Sequence, residues 1–205
     1  MQRAGKLAMA AVFILLVAVK VSALDRCQEF VQEVRTANTF YNGLNYPYWY
    51  GVGQLKTESG CRSDLTAFDG GQGLAQFMPV TMAAINKICT RCHLQKLNPY
   101  KPADSIKAAA YLIAQNHRTN FAPDKPMWID YQSYNGGAAL LKKEYQRAGK
   151  ANHELMRVQC KRNIITLKSG KLLNLCDVNY DYSRHIYDYA KPYRLTTDQT
   201  PFNFW

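Results

Sequence analysis

Apolar residues recur every three or four positions along most of the chain, which is the spacing of helices that bury one face. The first such segment covers residues 25–41, and its apolar positions are Cys27, Phe30, Val31, Val34 and Tyr41. Pro47 then begins a second helix, because proline is tolerated in a first helical turn. This helix runs towards Glu58, and Gly60 provides a stop signal just beyond it.

The rest of the chain is also mainly helical in pattern. Further helices are predicted at 79–89, 102–117, 127–147 with a break at Gly136–Gly137, 151–159 and 179–190. Residues 163–167 and 172–175 flank a glycine turn and predict a small β-hairpin, with Cys160 and Cys176 placed to join its ends. Residues 67–73 are predicted to form a loop or a short irregular hairpin. The predicted fold class is α+β, mainly α, in a single domain.

The chain begins with the pattern of a secretory signal peptide. Arg3 and Lys6 precede an apolar stretch at 7–19, and Val21-Ser22-Ala23 has the small residues of a cleavage site. A membrane anchor is the alternative, but 13 apolar residues fall short of the roughly 20 that a transmembrane helix needs. We therefore predict a signal peptide at 1–23 and an exported protein of the periplasm or cell envelope.

Composition and charge narrow the class of protein. The 205 residues are 47% hydrophobic and 20% charged, which is typical of one globular domain. Removing residues 1–23 removes three basic residues and no acid, so the net charge of +11 falls by three to +8. A basic surface attracts polyanions in general. The chain has no dense basic run and no nucleic-acid-binding motif, so nucleic acid is not a predicted partner.

Six cysteines in an exported chain predict up to three disulfides with the pairing left open. They are Cys27, Cys61, Cys89, Cys92, Cys160 and Cys176. The pair at 89 and 92 has the spacing of some zinc or redox sites, but it lacks a second ligand pair at suitable distance. We predict no metal and no cofactor.

Three short segments carry the chemistry. The first is Glu58-Ser59 at the predicted helix end, the second is Gly73-Leu74-Ala75-Gln76, and the third is Tyr134-Asn135-Gly136-Gly137. Each is common by itself, but the ordered set is specific. In this order they resemble the lysozyme-like domain of soluble lytic transglycosylases, which are related to goose-type lysozyme. The resemblance covers roughly residues 30 to 190.

The resemblance implies a lysozyme-like domain at 24–191, followed by a tail at 192–205 without clear pattern. It implies cleavage of the MurNAc-GlcNAc β-1,4 bond of peptidoglycan with a 1,6-anhydro product. The residues that it assigns are Glu58 as catalytic acid and base, Gln76, Tyr134 and Asn135 as groove residues, and Tyr182, with Tyr180 as the alternative, facing Glu58. Ser59 is expected to support the structure or to bond in the groove. Partners would be glycan strands, with secretion, conjugation or phage machinery as candidates.

General acid catalysis requires a carboxyl group that keeps its proton near neutral pH, and burial among apolar groups raises a carboxyl pKa in this way. Asp64 and Asp69 are close enough in sequence to act as a second carboxylate, so a lysozyme-type hydrolase is the near alternative. A non-catalytic wall-binding subunit is the more distant one. Ala75, where the family commonly has methionine, is expected to widen the groove.

Some residues have two readings. Trp49, Leu55, Phe77 and Met78 are candidate apolar neighbours of Glu58. Tyr46, Tyr48 and Tyr50 have equal claims to line the groove or to fill the core, because aromatic rings do both.

Overall fold

The computed structural model describes residues 25–91, 96–167 and 169–205, without the side chains of residues 89–91. The predicted signal peptide lies outside the described residues. The helices are α1 (Val31–Asn42), α2 (Trp49–Ser59), α3 (Pro79–Arg91), α4 (Pro102–Arg118), α5 (Met127–Gly136), α6 (Ala138–Ala148), α7 (His153–Val158) and α8 (Leu175–Ala190), and the strands are β1 (Ile164–Thr166) and β2 (Leu172–Asn174). Short 3-10 helices at Arg26–Phe30 and Lys191–Tyr193 flank them. The predicted class, mainly α with a small hairpin, is confirmed. Within the described ranges, none of the helices has the length and apolarity needed to cross a membrane.

Helix α2 lies at the centre of the fold. Most of its residues are buried, and its main packing partner is α8. A Cβ atom added at Gly53 would lie 2.5 Å from the carbonyl oxygen of Ile186 in α8. Only glycine allows the two backbones to approach so closely. This contact sets the position of α8 beside the end of α2, where Glu58 lies.

The other helices surround this pair. Helix α1 packs against α4, α4 against α5, and α5 against both α6 and α8. The stripe predicted at 25–41 is divided between the first 3-10 helix and α1. It is buried at Cys27, Phe30 and Val34 and half-buried at Val31 and Tyr41. The alanines of α4 at 108–110 and 114 are also buried.

Helix boundaries follow local signals. Helix α2 ends at Gly60, which has a left-handed φ of 60°, and α5 gives way to α6 at Gly137. Helix α8 begins at Leu175, four residues before the predicted start. The reason is that the Asn174 side chain accepts a hydrogen bond from the backbone N–H of Cys176 at 2.9 Å and caps the first turn.

Two disulfides connect elements that are distant in sequence. Cys160 and Cys176 are joined across the base of the hairpin, in which Ile165 of β1 lies opposite Leu173 of β2. Cys27 and Cys61 join the first 3-10 helix to the loop after α2. The side chains of Cys89 and Cys92 fall outside the described part of the chain, so a third disulfide stays a prediction.

The tyrosines that precede and begin α2 belong to the core. The Tyr46 and Tyr131 hydroxyl groups lie 3.2 Å apart, and the Tyr48 hydroxyl donates to the carbonyl of Tyr193 at 3.3 Å. Tyr50 packs against Phe204, with 4.4 Å between ring centroids. None of the three tyrosines lines the cleft described below.

The last residues of the chain pack onto the domain. The backbone N–H groups of Met127 and Trp128, at the start of α5, donate to the carbonyls of Asn203 and Phe204 at 3.0 and 2.9 Å. The first N–H groups of a helix have no partner within it, so the tail satisfies two of them. Phe204 is buried among aromatic rings.

We expect the double substitution Cys27→Ser and Cys61→Ser to lower the free energy of unfolding by about 4 kcal/mol. The disulfide closes a loop of 34 residues, and the loss of such a loop releases about this much denatured-state entropy at 25 °C. Urea unfolding of both proteins, with and without reductant, measures the effect. The difference should disappear when the wild type is reduced, and an equal midpoint under oxidising conditions would contradict the prediction.

Candidate active site

A cleft of about 260 Å³ opens between the end of α2, the loop at 67–78 and the end of α5. Its polar lining comes from three separate segments of sequence. It includes Glu58, Asp69, Gln76, Tyr134 and Asn135. Four of the residues predicted from the sequence motifs, Glu58, Gln76, Tyr134 and Asn135, are thus brought together in one cleft.

Glu58 lies in the last turn of α2 and is partly exposed at the cleft. Its carboxyl oxygen Oε1 accepts a hydrogen bond from the Tyr182 hydroxyl at 2.5 Å. Desolvation of the carboxyl raises its pKa to about 8, the Tyr182 hydrogen bond opposes that shift, and the negative charge of Asp69 adds to it. At neutral pH the carboxyl is therefore mainly protonated, as general acid catalysis requires.

Tyr182 supports Glu58 from behind the cleft. Its ring is buried, and the side-chain amide of Gln54 donates to its hydroxyl at 3.4 Å. Burial and the charge of Glu58 raise the pKa of Tyr182 well above its usual value, so the hydroxyl keeps its proton and acts as a donor. Tyr180, the alternative, donates to Glu144 at 2.7 Å instead.

Tyr134 and Ala75 connect two walls of the cleft. The Tyr134 hydroxyl donates to the carbonyl of Ala75 at 2.7 Å, and the backbone N–H of Ala75 donates to the Ser105 hydroxyl at 3.1 Å. Ala75 is completely buried. The expectation that Ala75 widens the groove is therefore wrong, because its side chain lies in the core behind the cleft wall.

Gln76 holds a strained turn in the cleft loop. Its backbone has a positive φ of 51°, which is uncommon for a residue other than glycine. The side-chain amide nitrogen donates to the carbonyls of Gly73 at 2.7 Å and Leu65 at 3.3 Å. Part of the side chain remains exposed at the cleft.

Ser59 is buried beside the cleft loop. Its hydroxyl donates to the carbonyl of Leu74 at 2.7 Å and accepts from the backbone N–H of Arg62 at 3.1 Å. Of the two roles expected for Ser59, these contacts favour support of the structure. They fix the distance between the end of α2 and the loop that carries Gln76.

The remaining predicted residues are divided between the cleft and its surroundings. Asn135 is exposed in the cleft, and its amide nitrogen donates to the Asn179 side chain at 3.2 Å. Asp69 lines the cleft and accepts from the backbone N–H of Gly71 at 3.1 Å, whereas Asp64 is exposed outside it.

Of the four candidate neighbours of Glu58, the cleft is lined by Phe77 and Met78, while Trp49 and Leu55 are in the core.

Gln54 is a site residue that the motifs do not reveal. It lies four residues before Glu58 on α2, and it reaches the same hydroxyl, that of Tyr182. Residues four apart share one face of a helix. A glutamine at this spacing from Glu58 is the sequence signal that points to it.

Residues 52–156, half of the chain, match the family model of the transglycosylase SLT domain. The chain belongs to this family. The SLT fold here is also similar to the solved structure of the 70 kDa soluble lytic transglycosylase Slt70 from Escherichia coli, with a TM-score of 0.58 and 15% sequence identity.

That similarity covers 78% of this chain and 24% of Slt70, so the chain spans about a quarter of the length of that protein. Comparison with curated proteins gives no match. The range that matches the family model contains Glu58, Gln76, Tyr134 and Asn135, whereas Tyr182 lies beyond it.

We expect Glu58→Gln to stabilise the fold at alkaline pH. The pKa of Glu58 is about 8 in the folded chain and near 4.5 in a solvated one. Between these values the unfolded state binds fewer protons than the folded state, so the wild-type free energy of unfolding falls as pH rises. Glutamine does not titrate, and the gain over wild type should grow by about 4.5 kcal/mol between about pH 4 and pH 9.

Urea unfolding of both proteins across this pH range measures the gain. The matched control is Glu29→Gln, which removes an exposed carboxyl outside the cleft, and the Glu58→Gln gain at alkaline pH should exceed that of the control. A Glu58→Gln difference that stays constant over the range would contradict the prediction.

Proposed function

We propose that this chain is a peptidoglycan lytic transglycosylase that cleaves the MurNAc-GlcNAc β-1,4 bond, with Glu58 as its general acid and base. The observation that carries the proposal is the Glu58 carboxyl, which faces a cleft and has a pKa of about 8. Family membership supports the same chemistry. A carboxyl of this kind donates a proton to a leaving oxygen at neutral pH.

The reaction needs one carboxyl group in two successive states. Glu58 gives its proton to the glycosidic oxygen as the bond from that oxygen to C1 of MurNAc breaks. The C6 hydroxyl of the same MurNAc then attacks C1, and Glu58 takes the hydroxyl proton as a base. The products are the 1,6-anhydro sugar and a free GlcNAc hydroxyl, without addition of water. The Tyr182 hydroxyl, donating to Oε1, stabilises the carboxylate between the two steps.

The position of Asp69 favours a lysozyme-type hydrolase as the second candidate function. It lines the same cleft as Glu58, and its charge acts on the Glu58 pKa. A second carboxylate in a glycosidase cleft activates water or forms a covalent intermediate. Asp69 is held by the backbone N–H of Gly71, a contact typical of a turn aspartate. We therefore place the transglycosylase first.

We also propose that the protein acts in the periplasm or cell envelope. Disulfides form and persist in oxidising compartments, and the chain contains two among its described residues. They support export to the periplasm or cell envelope, where glycan strands are the partner. A role beside secretion, conjugation or phage machinery, and the signal peptide at 1–23, remain proposals on the sequence pattern alone.

Glu58→Gln is expected to lower the rate of peptidoglycan cleavage by about 10² to 10⁴. Glutamine keeps the shape of the side chain but cannot donate a proton. Release of soluble muropeptides from purified walls measures the rate, with Glu29→Gln as the matched control. Mass spectrometry identifies the product: anhydro-muropeptides support the transglycosylase, and reducing-end muramic acid supports the hydrolase. Wild-type activity in Glu58→Gln would overturn the role of Glu58, and a wild-type protein that releases no muropeptides would favour the wall-binding subunit.

We expect Tyr182→Phe to move the alkaline limit of activity to higher pH. Wild-type activity should fall as pH rises through about 8, where Glu58 loses its proton. The Tyr182 hydrogen bond lowers this pKa, so its removal raises the pKa further, by roughly one unit. Initial rates against pH locate the limit. Tyr180→Phe is the control for the position of the limit, because that hydroxyl donates to Glu144. A limit that moves to lower pH in Tyr182→Phe would contradict the assignment.

A further inference from the structure

A buried ion pair lies behind the cleft, on the side of α8 away from Glu58. The Nε atom of Arg162 is 3.1 Å from Oε1 of Glu144, and the two side chains are only 9% and 3% exposed. The second oxygen of Glu144 accepts from the Tyr180 hydroxyl at 2.7 Å. The three groups come from α6, α8 and the segment before β1.

Stability does not account for this pair. Taking two charges out of water is costly, and buried ion pairs are often replaced by apolar residues without loss of stability. The Nη2 atom of Arg162 is also buried and has no hydrogen-bond partner within the described part of the chain. An unsatisfied buried donor adds to the cost. Arg162 makes a further contact, through its Nη1 atom.

This Nη1 contact joins Arg162 to the end of α5, which forms part of the cleft wall. The Nη1 atom of Arg162 donates to the carbonyl of Gly136 at 3.1 Å, and Gly136 is the residue after Asn135 at the end of α5. The last carbonyls of a helix lack partners within it, so the guanidinium satisfies one of them. A Cβ atom at position 136 would lie 2.3 Å from Nη1, so a larger residue here would displace the guanidinium.

Asn135 is held a second time through its side chain. Its amide nitrogen donates to Oδ1 of Asn179 on α8 at 3.2 Å. A Cβ atom at position 136 would lie 2.2 Å from the same Oδ1 atom. Arg162 and Asn179 both lie against Gly136. Arg162 holds the backbone carbonyl that follows Asn135, and Asn179 holds the Asn135 side-chain amide.

The hairpin disulfide sets the position of Arg162. The backbone N–H of Arg162 donates to Sγ of Cys176 at 3.4 Å. Cys176 lies in the first turn of α8 and is bonded to Cys160, two residues before Arg162. The arginine enters the interior from a segment that is tied to the same helix as Asn179.

We infer that Arg162 is a positioning residue for Asn135: paired with Glu144 and tied to α8 by the disulfide, it holds the end of α5 so that the Asn135 amide faces the substrate groove. This inference rests on the proposed function, because it assigns Asn135 a contact with the sugar in that reaction. Arg162 itself is absent from the lining of the cleft.

A double-mutant cycle tests the inference. The four proteins are wild type, Arg162→Met, Asn135→Ala and the double variant, each assayed for kcat/KM on purified peptidoglycan. Arg162→Met should lower kcat/KM about tenfold to a hundredfold in the wild-type background, since a displacement of about 1 Å has effects of this size. In the Asn135→Ala background it should lower kcat/KM less than about threefold, because the group that it positions is gone. Equal losses in both backgrounds would overturn the inference.

A triple variant that removes the whole network separates a loss of positioning from a loss of folding. Arg162→Met, Glu144→Leu and Tyr180→Phe together replace every charged or hydroxyl member with an apolar residue, which should leave the melting temperature close to wild type. This protein should still lose kcat/KM about tenfold or more. Full activity in the folded triple variant would overturn the inference. Arg157→Met is the matched control, because Arg157 pairs with Asp177 and Asp181 nearby but does not contact Gly136 or Asn135.

A readout that does not depend on catalysis separates this inference from the proposed function. The side-chain amide signals of Asn135 in the nitrogen–proton spectrum should shift or broaden in Arg162→Met and stay in place in Arg157→Met. Unmoved Asn135 signals in Arg162→Met would overturn the positioning role whatever the activity. Wild-type cleavage by Glu58→Gln would instead overturn the proposed function.

Discussion

The hydrogen bond between Tyr182 and Glu58 joins the two helices on which the cleft depends. Glu58 lies in the last turn of α2 and Tyr182 within α8. Their side chains meet at 2.5 Å because Gly53 lets the two helices pack at backbone distance. The packing that desolvates the carboxyl also supplies the hydroxyl beside it. The acid therefore keeps a high pKa without lacking a partner for its ionised form, the combination that one group working as acid and then base requires.

Helix α8 supports both sides of the cleft. Residues two apart on a helix point about 200° away from each other, so Tyr182 and Tyr180 face opposite directions. Tyr182 meets Glu58, and Tyr180 meets Glu144 in the network behind Asn135. Asn179 on the same helix contacts Asn135 directly. One rigid element thus sets the distance between the acid and the amide that faces it, which is the arrangement expected of a preorganised site.

Local signals predict much of this molecule, and long-range packing accounts for what they miss. Glycine at 60 and proline at 79 and 102 mark helix ends, and these signals act within a few residues. The burial of Ala75 and the tyrosines at 46–50 depends on which face of the loop or helix meets the core, and the residue type is compatible with either side. The pairing of Arg162 with Glu144 joins residues 18 positions apart in different elements, so no spacing rule identifies it.

The contact between the chain's last residues and the start of α5 has a consequence for the order in which the protein is built. Helix α5 carries Tyr134 and Asn135, but two of its first N–H groups find acceptors only at Asn203 and Phe204. Asn203 and Phe204 are translated about 75 residues after the start of α5. The wall of the cleft that carries Tyr134 and Asn135 therefore completes its hydrogen bonds only when this distant segment folds back onto it.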